Sequence, residues 1–431
     1  MRYYSLNKQS PIVNFKEATI LGQAPDKGLY FPEKIPQHSK DLFTHIRSIP
    51  KEELAFSVME PFVGDAIPAD ELYRIVSETV NFPFPLKLIQ PNIGSLELYH
   101  GPTLAFKDVG ARFMSRCLSY FSKNQPNKIT ILVATSGDTG GAVANGFLGV
   151  EGVDVIILYP SGKVSPVQEL QLTTCGENIT ALEINGSFDD CQLMVKTAFA
   201  DKDITAQMQL SSANSINIAR WLSQQIYYFI AYQQWEGTTA PVIAVPSGNF
   251  GNLCAGIMAY QTGLPVKHFI AACNINDAVP DYLQSGVFKS KPTTATISNA
   301  MDVGNPSNFI RILELMHQDY HAVRSLISGY TISDETTLKT IQEVYQQFNY
   351  ILDPHGAVAY AALQAYQQNH SNSNGYILET ADPVKFPDAI KTAININPAI
   401  PMAAANLFNK EKRSIPMLNE YAPFKDYLLS R

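Results

Sequence analysis

Apolar and polar positions along residues 96–272 alternate as in a protein built of buried strands and amphipathic helices. Predominantly apolar stretches predict strands at Leu96–Tyr99, Ile129–Ala134, Val153–Tyr159, Ile179–Ile184, Val242–Val245 and Val266–Ala272. Apolar residues at helical spacing predict helices at Phe106–Phe121, Ser165–Thr174, Phe188–Ala200, Asn214–Trp235 and Asn252–Gln261. Because strands that are apolar on both faces belong to sheets covered by helices, the pattern indicates an α/β fold with parallel sheet.

The chain before this region has a different character. Residues 1–80 carry no chemical motif, and helical fragments are predicted there around Lys40–Ile46 and Ala69–Val80. The segment Asn81–Pro91 reads NFPFPLKLIQP, and its three prolines predict a linker or boundary loop. We therefore expect an N-terminal region at residues 1–80 and a main α/β domain at residues 81–431.

Composition adds the class of protein and excludes some partners. Of the 431 residues, 45% are apolar and only 16% are charged, which predicts a compact globular chain of two or three domains. The net charge of −7 gives no basic surface for nucleic acid or an anionic membrane. The uncharged stretch Gly237–Val266 is interrupted by prolines and asparagines, so it predicts a strand, a polar turn and a helix rather than a membrane span.

Cysteine and histidine usage points to neither disulfides nor a metal. The five cysteines are odd in number and include no C-x-x-C pair, which predicts free thiols in a reducing compartment. The N-terminus has no apolar core of a secretory signal, so we expect a cytoplasmic protein. His317 and His321 have helical spacing, but Gln318 replaces the glutamate of H-E-x-x-H, and we predict no metal site.

A first polar turn, ATSGDTGGA at residues 134–142, lies between a predicted strand and a predicted helix. In open α/β sheets ligands bind at the carboxyl ends of the strands, and a helix N-terminus holds anions. The hydroxyls of Thr135, Ser136 and Thr139 add donors, so this turn suits a carboxylate or a small phosphate. The alternative is a capped helix with Ser136 or Asp138 as the N-cap.

A second polar turn, PSGNFGN at residues 246–252, follows the strand at Val242–Val245. Gly248 and Gly251 allow a close approach of the backbone, and successive N–H groups there can surround an anion. The turn matches neither a Walker A loop nor a G-x-G-x-x-G dinucleotide loop, so by itself it is a weak signal for phosphate.

Lys107, in the segment HGPTLAFKD, lies at a predicted helix start beside the apolar residues Leu104, Ala105 and Phe106. Apolar surroundings lower the pKa of a lysine and favour the neutral amine that forms a Schiff base. The alternative is an ordinary surface lysine at the foot of a helix.

The segments HGPTLAFKD, ATSGDTGGA, NSINIAR and PSGNFGN, in this order, resemble the threonine synthases, pyridoxal-phosphate enzymes of the tryptophan synthase β-like fold. The resemblance runs from Arg2–Ser5 through GLYFPEKIP to ETADPVKF at Glu379–Phe386. It implies fold type II: two parallel-sheet α/β lobes with an N-terminal extra region. The smaller lobe, roughly residues 110–205, would be inserted in the larger one.

The resemblance implies a role for residues of each motif in binding pyridoxal 5′-phosphate. Lys107 would be the catalytic lysine that forms the Schiff base. Asp138 stands where this fold often has an asparagine, and it would contact the 3′-oxygen of the pyridine ring. Thr380 would place its hydroxyl at the ring nitrogen. The amides that would bind the cofactor phosphate belong to Gly248, Asn249, Phe250, Gly251 and Asn252.

The resemblance also implies the substrate, O-phospho-L-homoserine. Phosphate would be eliminated from Cγ and water added at Cβ, giving L-threonine, with Lys107 moving the Cα proton. Candidates in the first turn are Thr135, Ser136 and Thr139, the last two for the substrate carboxylate. Candidates for the substrate phosphate are Lys163, Ser215, Asn217 and Arg220, of which Arg220 is the only charged residue between Asp203 and Glu236.

Two other functions stay open at this point. One is another pyridoxal-phosphate lyase of the same fold, such as a threonine dehydratase or a cysteine synthase. Such an enzyme would need no second phosphate site. The residues that would form this second site here, and that distinguish the two functions, are Lys163, Ser215, Asn217 and Arg220. A binding protein that kept the fold without activity is disfavoured by the intact Lys107. The resemblance leaves a monomer and a homodimer equally open.

Overall fold

The computed structural model describes residues 1–123 and 127–431. It begins with a unit built on a three-stranded antiparallel sheet in which β1 lies between β2 and β3. The elements of this unit are β1 (Arg2–Ser5), β2 (Val13–Asn14), α1 (Phe15–Leu21), β3 (Tyr30–Pro32), α2 (Lys40–His45), α3 (Lys51–Val63) and α4 (Ala69–Thr79). Helices α2 and α4 match the predicted fragments, whereas α3 was not predicted.

Strands and helices alternate through the next part of the chain, as the apolar pattern predicts. The elements are β4 (Leu86–Gln90), β5 (Ile93–Glu97), α5 (Lys107–Ser122), β6 (Ile129–Ala134), α6 (Asp138–Phe147), β7 (Val153–Pro160), α7 (Pro166–Thr173), β8 (Ile179–Asn185), α8 (Phe188–Ala200), α9 (Lys202–Gln207), β9 (Gln209–Ser212), α10 (Ile218–Leu222) and α11 (Gln225–Gln234).

The last part of the chain continues the alternation and ends with three short elements. The elements are β10 (Val242–Pro246), α12 (Gly251–Gln261), β11 (His268–Cys273), α13 (Ala278–Ser285), α14 (Phe309–Leu315), α15 (Tyr320–Leu326), β12 (Ile327–Thr331), α16 (Asp334–Phe348), α17 (Pro354–Asn369), β13 (Gly375–Glu379), α18 (Pro387–Ile394), α19 (Met402–Ala405), β14 (Ile415–Leu418) and α20 (Tyr421–Leu429). Among the described residues, no helix has the length and apolar character needed to cross a membrane.

The two sheets define two lobes. The larger sheet has the order β12–β11–β10–β13–β5–β4, and its neighbours are parallel except for β4, which runs antiparallel to β5. The smaller sheet has the order β14–β8–β7–β6–β9 and is parallel throughout. Its edge strand β14 comes from the C-terminal part of the chain, after the larger lobe. The predicted architecture of two parallel-sheet α/β lobes with an N-terminal extra region is confirmed.

Two predicted elements were wrong. The proposed linker at Asn81–Pro91 contains strand β4, because its prolines flank Leu86–Gln90 without interrupting it and an edge strand needs only one partner. The single helix predicted at Asn214–Trp235 is two helices, α10 and α11. Between them, Ser223 donates its hydroxyl to Ala219 O and the Gln224 amide donates to Arg220 O, which ends α10.

The N-terminal unit packs against the helices that carry the candidate site. The ring of Phe15 in α1 contacts the rings of Phe113 and Phe121 in α5, with centroids 6.4 and 6.3 Å apart. The side-chain amide of Asn217, just before α10, donates to Thr19 O at 2.9 Å. The unit therefore packs against α5, which carries Lys107, and against the start of α10, which carries Arg220.

Candidate active site

Lys107 is the first residue of α5, and the loop before it is fixed to the end of β13. The backbone N–H of Phe106 donates to Thr380 O at 2.9 Å, and that of Asp382 donates to Leu104 O at 3.1 Å. Leu104 adopts a left-handed conformation with φ of 59°, which turns the loop into the helix. The helix that begins with Lys107 thus starts beside the segment that contains Thr380.

The surroundings of Lys107 favour its neutral form. Burial lowers the pKa of Lys107, and the positive charges of Lys385 and Arg220 lower it further, while Asp138 opposes them. The Lys107 Nζ lies 3.7 Å from Oδ2 of Asp138. The sequence predicted a lowered pKa from apolar neighbours alone, and the structure adds two cations to that cause.

Asp138, at the start of α6, remains a carboxylate although it is buried. Burial by itself raises the pKa of Asp138, but Lys385 and Lys107 together hold it below its usual range. Oδ1 of Asp138 accepts from Lys385 Nζ at 2.7 Å and from Gln168 Nε2 at 2.9 Å. This negative charge lies between two lysines in the interior.

The three hydroxyls of the first polar turn have different roles in the structure. Oγ1 of Thr135 accepts from the N–H groups of Gly137 and Gly140 at 3.0 and 2.9 Å, and the N-cap residue of α6 is Gly137, not Ser136 or Asp138. Ser136 and Thr139 are half-buried, and their hydroxyls make no hydrogen bond within the described part of the chain. These two hydroxyls remain available to a ligand.

The second polar turn brings backbone N–H groups to the start of α12. Phe250 adopts a left-handed conformation with φ of 61° directly before the helix. A Cβ at Gly248 would lie 2.5 Å from the Cα of Met301, so the backbone there has room only for glycine. Oδ1 of Asn252 accepts from the hydroxyls of Tyr227 and Tyr228, both at 2.8 Å. A rigid turn at a helix N-terminus is suited to hold a phosphate.

Ser215 lies against the second turn. Its Oγ accepts from the side-chain amides of Asn249 and Asn308 at 2.8 and 2.9 Å, which leaves its hydroxyl proton free to donate. The guanidinium of Arg311 fixes this region by donating to Ser215 O at 3.0 Å. The structure therefore brings Ser215 to the predicted cofactor-phosphate turn.

Arg220 is buried beside the first turns of α5. A Cβ at Gly110 would lie 3.0 Å from Arg220 Nε, so a glycine is needed where this side chain passes. One guanidinium nitrogen donates to Ala213 O at 2.6 Å, whereas Nε is buried without a hydrogen-bond partner in the described chain. Burial lowers the pKa of Arg220 to about 10, and Asp108 partly compensates. A buried cation with an unused donor suits an anionic ligand.

Two of the candidates for the substrate phosphate, Lys163 and Asn217, have other surroundings than Arg220 and Ser215. Lys163 is exposed in the loop after β7. Hydrogen bonds from Ser187 lower the pKa of Asp190 in α8 most, and the charge of Lys163 makes only a small further contribution. Asn217 is fully buried, and its amide donates to Thr19 O and Ser212 O while its oxygen accepts from Ala219 N–H. Both polar atoms of the Asn217 side chain are therefore already hydrogen-bonded within the chain. This arrangement does not favour the predicted role of Asn217 as a phosphate ligand.

The structural role of Asn217 predicts the effect of removing it. Asn217→Ala should lower the thermal unfolding midpoint by about 2–4 °C, because it deletes a helix cap and leaves two buried carbonyls without a donor. Calorimetry of this variant and of Asn369→Ala, an exposed asparagine at the end of α17, measures the difference. An unchanged midpoint together with a raised KM would instead assign Asn217 to the substrate.

Comparisons with known proteins place the whole chain in one family. The family models match as follows: "Threonine synthase N terminus" at residues 2–80, "Pyridoxal-phosphate dependent enzyme" at residues 95–378 and "Threonine synthase, C-terminal" at residues 356–428. The chain is 42% identical over 431 residues to the threonine synthase of Haemophilus influenzae, covering 100% of both. It is 41% identical over 426 residues to that of Escherichia coli, covering 98% of this chain and 97% of the relative. This chain belongs to the threonine synthases.

Solved structures of threonine synthases agree with this assignment. The crystal structure of the Escherichia coli threonine synthase has a TM-score of 0.93 at 40% identity and covers 100% of both chains. A pyridoxal-phosphate-bound threonine synthase from Brucella melitensis has a TM-score of 0.93 at 35% identity, covering 99% of this chain and 98% of that one. The chain is therefore a pyridoxal-phosphate-dependent enzyme of fold type II, and the expected fold family and cofactor are confirmed.

The residues of this threonine synthase fit the cofactor. Lys107 supplies an amine with a lowered pKa, and at the start of α12 no side chain of the described residues caps the N–H groups. The second turn follows β10 and Lys107 follows β5, and both strands pair in parallel with β13, which lies between them and is followed by Thr380. They therefore open at the same edge of the larger sheet.

Sequence reasoning missed several residues that build this site. Lys385 and Gln168 contact Asp138, and Asn308 and Arg311 contact Ser215. Arg311 and Lys385 shared one signal, a lone cation within an apolar segment, FIRILEL or PVKF. Their partners are distant in sequence, and no spacing rule links them.

Proposed function

We propose that this threonine synthase converts O-phospho-L-homoserine and water into L-threonine and inorganic phosphate. The observation that carries the substrate is Arg220, a buried guanidinium with an unused Nε donor beside the helix of Lys107. The second polar turn serves the phosphate of the cofactor, so Arg220 offers a separate site for a second anion. A substrate with its own phosphate group uses both sites.

Each residue has a distinct task in this proposal. Pyridoxal phosphate, when bound, supplies the electron sink that stabilises the negative charge left at Cα. Lys107 holds the cofactor aldehyde at rest, and its freed amine takes the proton from Cα and later returns it. Arg220 binds the leaving phosphate and stabilises its charge as the Cγ–O bond breaks. One proton leaves Cβ as the phosphate departs, and a proton is added at Cγ to form the methyl group. Water then supplies the hydroxyl at Cβ and a proton to the released phosphate.

The remaining candidates orient the two molecules. Ser136 and Thr139 donate their free hydroxyls to the substrate carboxylate. Thr380 faces the ring nitrogen, and Asp138 approaches the 3′-oxygen. The backbone of Gly248–Asn252 binds the cofactor phosphate, with Ser215 supporting that turn. Lys163 reaches the substrate phosphate only if the lobes close, because it lies exposed on the smaller lobe.

We infer that the enzyme is cytoplasmic, and the state of its thiols supports this location. All five cysteines are free, and four of them are buried, which supports a reducing compartment and a cytoplasmic enzyme. We infer that the enzyme is a monomer or a homodimer.

Incubation with O-phospho-L-homoserine, while threonine and inorganic phosphate are measured together, tests the substrate. We expect the two products in equal amounts. Parallel reactions contain L-homoserine, which lacks the phosphate, and L-threonine, from which a dehydratase would form ammonia and a 2-oxo acid. Phosphate release without threonine, or ammonia from threonine as the main activity, would contradict the proposal.

A further inference from the structure

Lys385 is a buried lysine that the proposed reaction does not use. It follows β13 in a short turn, Pro383–Lys385, and none of its side chain is exposed to solvent. Its Nζ donates to Asp138 Oδ1 at 2.7 Å and to Thr103 O at 2.8 Å. Lysines are almost never fully buried unless they are paired, so this side chain has a specific task in the interior.

The contacts of Lys385 join three separate segments around Lys107. Asp138 begins α6 in the smaller lobe, Thr103 lies in the loop that leads to Lys107, and Lys385 itself belongs to the larger lobe. Gln171 of α7 donates to the same carbonyl of Thr103 at 3.0 Å. The ion pair of Lys385 and Asp138 therefore crosses between the lobes next to the reactive amine.

The two oxygens of Asp138 have different partners. Oδ1 accepts hydrogen bonds from Lys385 Nζ and Gln168 Nε2, while Oδ2 lies 3.7 Å from Lys107 Nζ. Without Lys385, the whole negative charge of Asp138 would be free to attract the Lys107 ammonium. That attraction would keep the amine protonated, whereas the reaction needs it as a base.

We propose that Lys385 is a positioning residue that binds one oxygen of Asp138, fixes this carboxylate beside the reactive amine, and keeps Lys107 ready to accept a proton. The proposal deepens the proposed function and rests on it. Charged groups face Lys107 from each packed element: Asp138 from α6, Lys385 from the turn after β13 and Arg220 from α10. Asp108 of α5 is turned away, since it accepts from Thr103 N–H and hydroxyl. Of these groups, Lys385 is the cation that directly contacts Asp138.

The test is a pH titration of the visible absorption of the cofactor-loaded enzyme. In Lys385→Met, we expect the titration midpoint and the acidic limb of the kcat profile to rise by about one pH unit, a tenfold change in proton affinity. Lys385→Arg keeps the cation and should restore both values most of the way. Lys391→Met, at an exposed position of α18, is the matched control and should titrate like the wild type.

A second variant keeps the test decisive if Lys385→Met does not fold. Asp138→Asn removes the charge that opposes Lys385, so its absorption midpoint should fall instead of rise. A lower unfolding temperature in Lys385→Met with an unchanged midpoint would overturn the proposal, because Lys385 would then only support the fold. An unchanged midpoint in Asp138→Asn would overturn it as well. If the wild type released no threonine, the proposed function would fail, whereas an active wild type with unmoved midpoints would refute only the role of Lys385.

Discussion

Replacing Lys107 with alanine should lower turnover about 10³-fold or more, because one amine both holds the cofactor and moves the Cα proton. No described neighbour can take over this task. Lys385 is committed to Asp138 and Thr103, and Arg220 carries a guanidinium that is a poor base. The loss should appear in kcat and should not be rescued by a higher substrate concentration.

The assay of Lys107→Ala uses threonine formation, with Lys339→Ala as the control at an exposed lysine of α16. Borohydride reduction of the wild-type enzyme, followed by peptide mapping, should locate the cofactor on Lys107. A label on another lysine, or a Lys107→Ala variant that keeps full activity, would remove the central assignment.

Replacing Arg220 with alanine should lower kcat/KM for O-phospho-L-homoserine by roughly 100-fold. The charge-assisted hydrogen bonds of one guanidinium to a phosphate contribute about 3 kcal/mol, and each 1.4 kcal/mol corresponds to a factor of ten. Retention of the cofactor should change far less, because the cofactor phosphate is assigned to the turn at Gly248–Asn252.

Two further variants make this result specific. Arg220→Lys keeps a positive charge but loses the forked donors, so its kcat/KM should lie between those of the wild type and Arg220→Ala. Arg324→Ala, at an exposed arginine of α15, should behave as the wild type. If Arg220→Ala lost cofactor and substrate affinity equally, the residue would instead be part of the structural support of the site.

The sequence was informative where the site is built from local segments. Lys107 and both polar turns each lie within one short stretch at a strand end, and apolar periodicity located the strands and helices around them. The resemblance of four such stretches then indicated the family, which the comparisons confirm.

The sequence was less informative where a role depends on distant partners. Asn217 lies in a motif of the site, yet its side chain caps α10 and binds Thr19 of the N-terminal unit. The role of Lys385 depends on its ion pair with Asp138, which is far away along the chain. The two short strands β9 and β14 were not predicted, because a stretch of four residues carries too little periodicity.

Strand β14 has a consequence for how the enzyme is made. It covers β8, and without it β8 would present a long row of unpaired backbone groups, which recruits other chains into aggregates. During synthesis on the ribosome, the smaller lobe must wait for residues 415–418 to emerge before this row is covered. Once docked, β14 is short and carries Pro416, which lacks an N–H to offer a further strand. Until this last strand is added, the edge of β8 stays open to other chains.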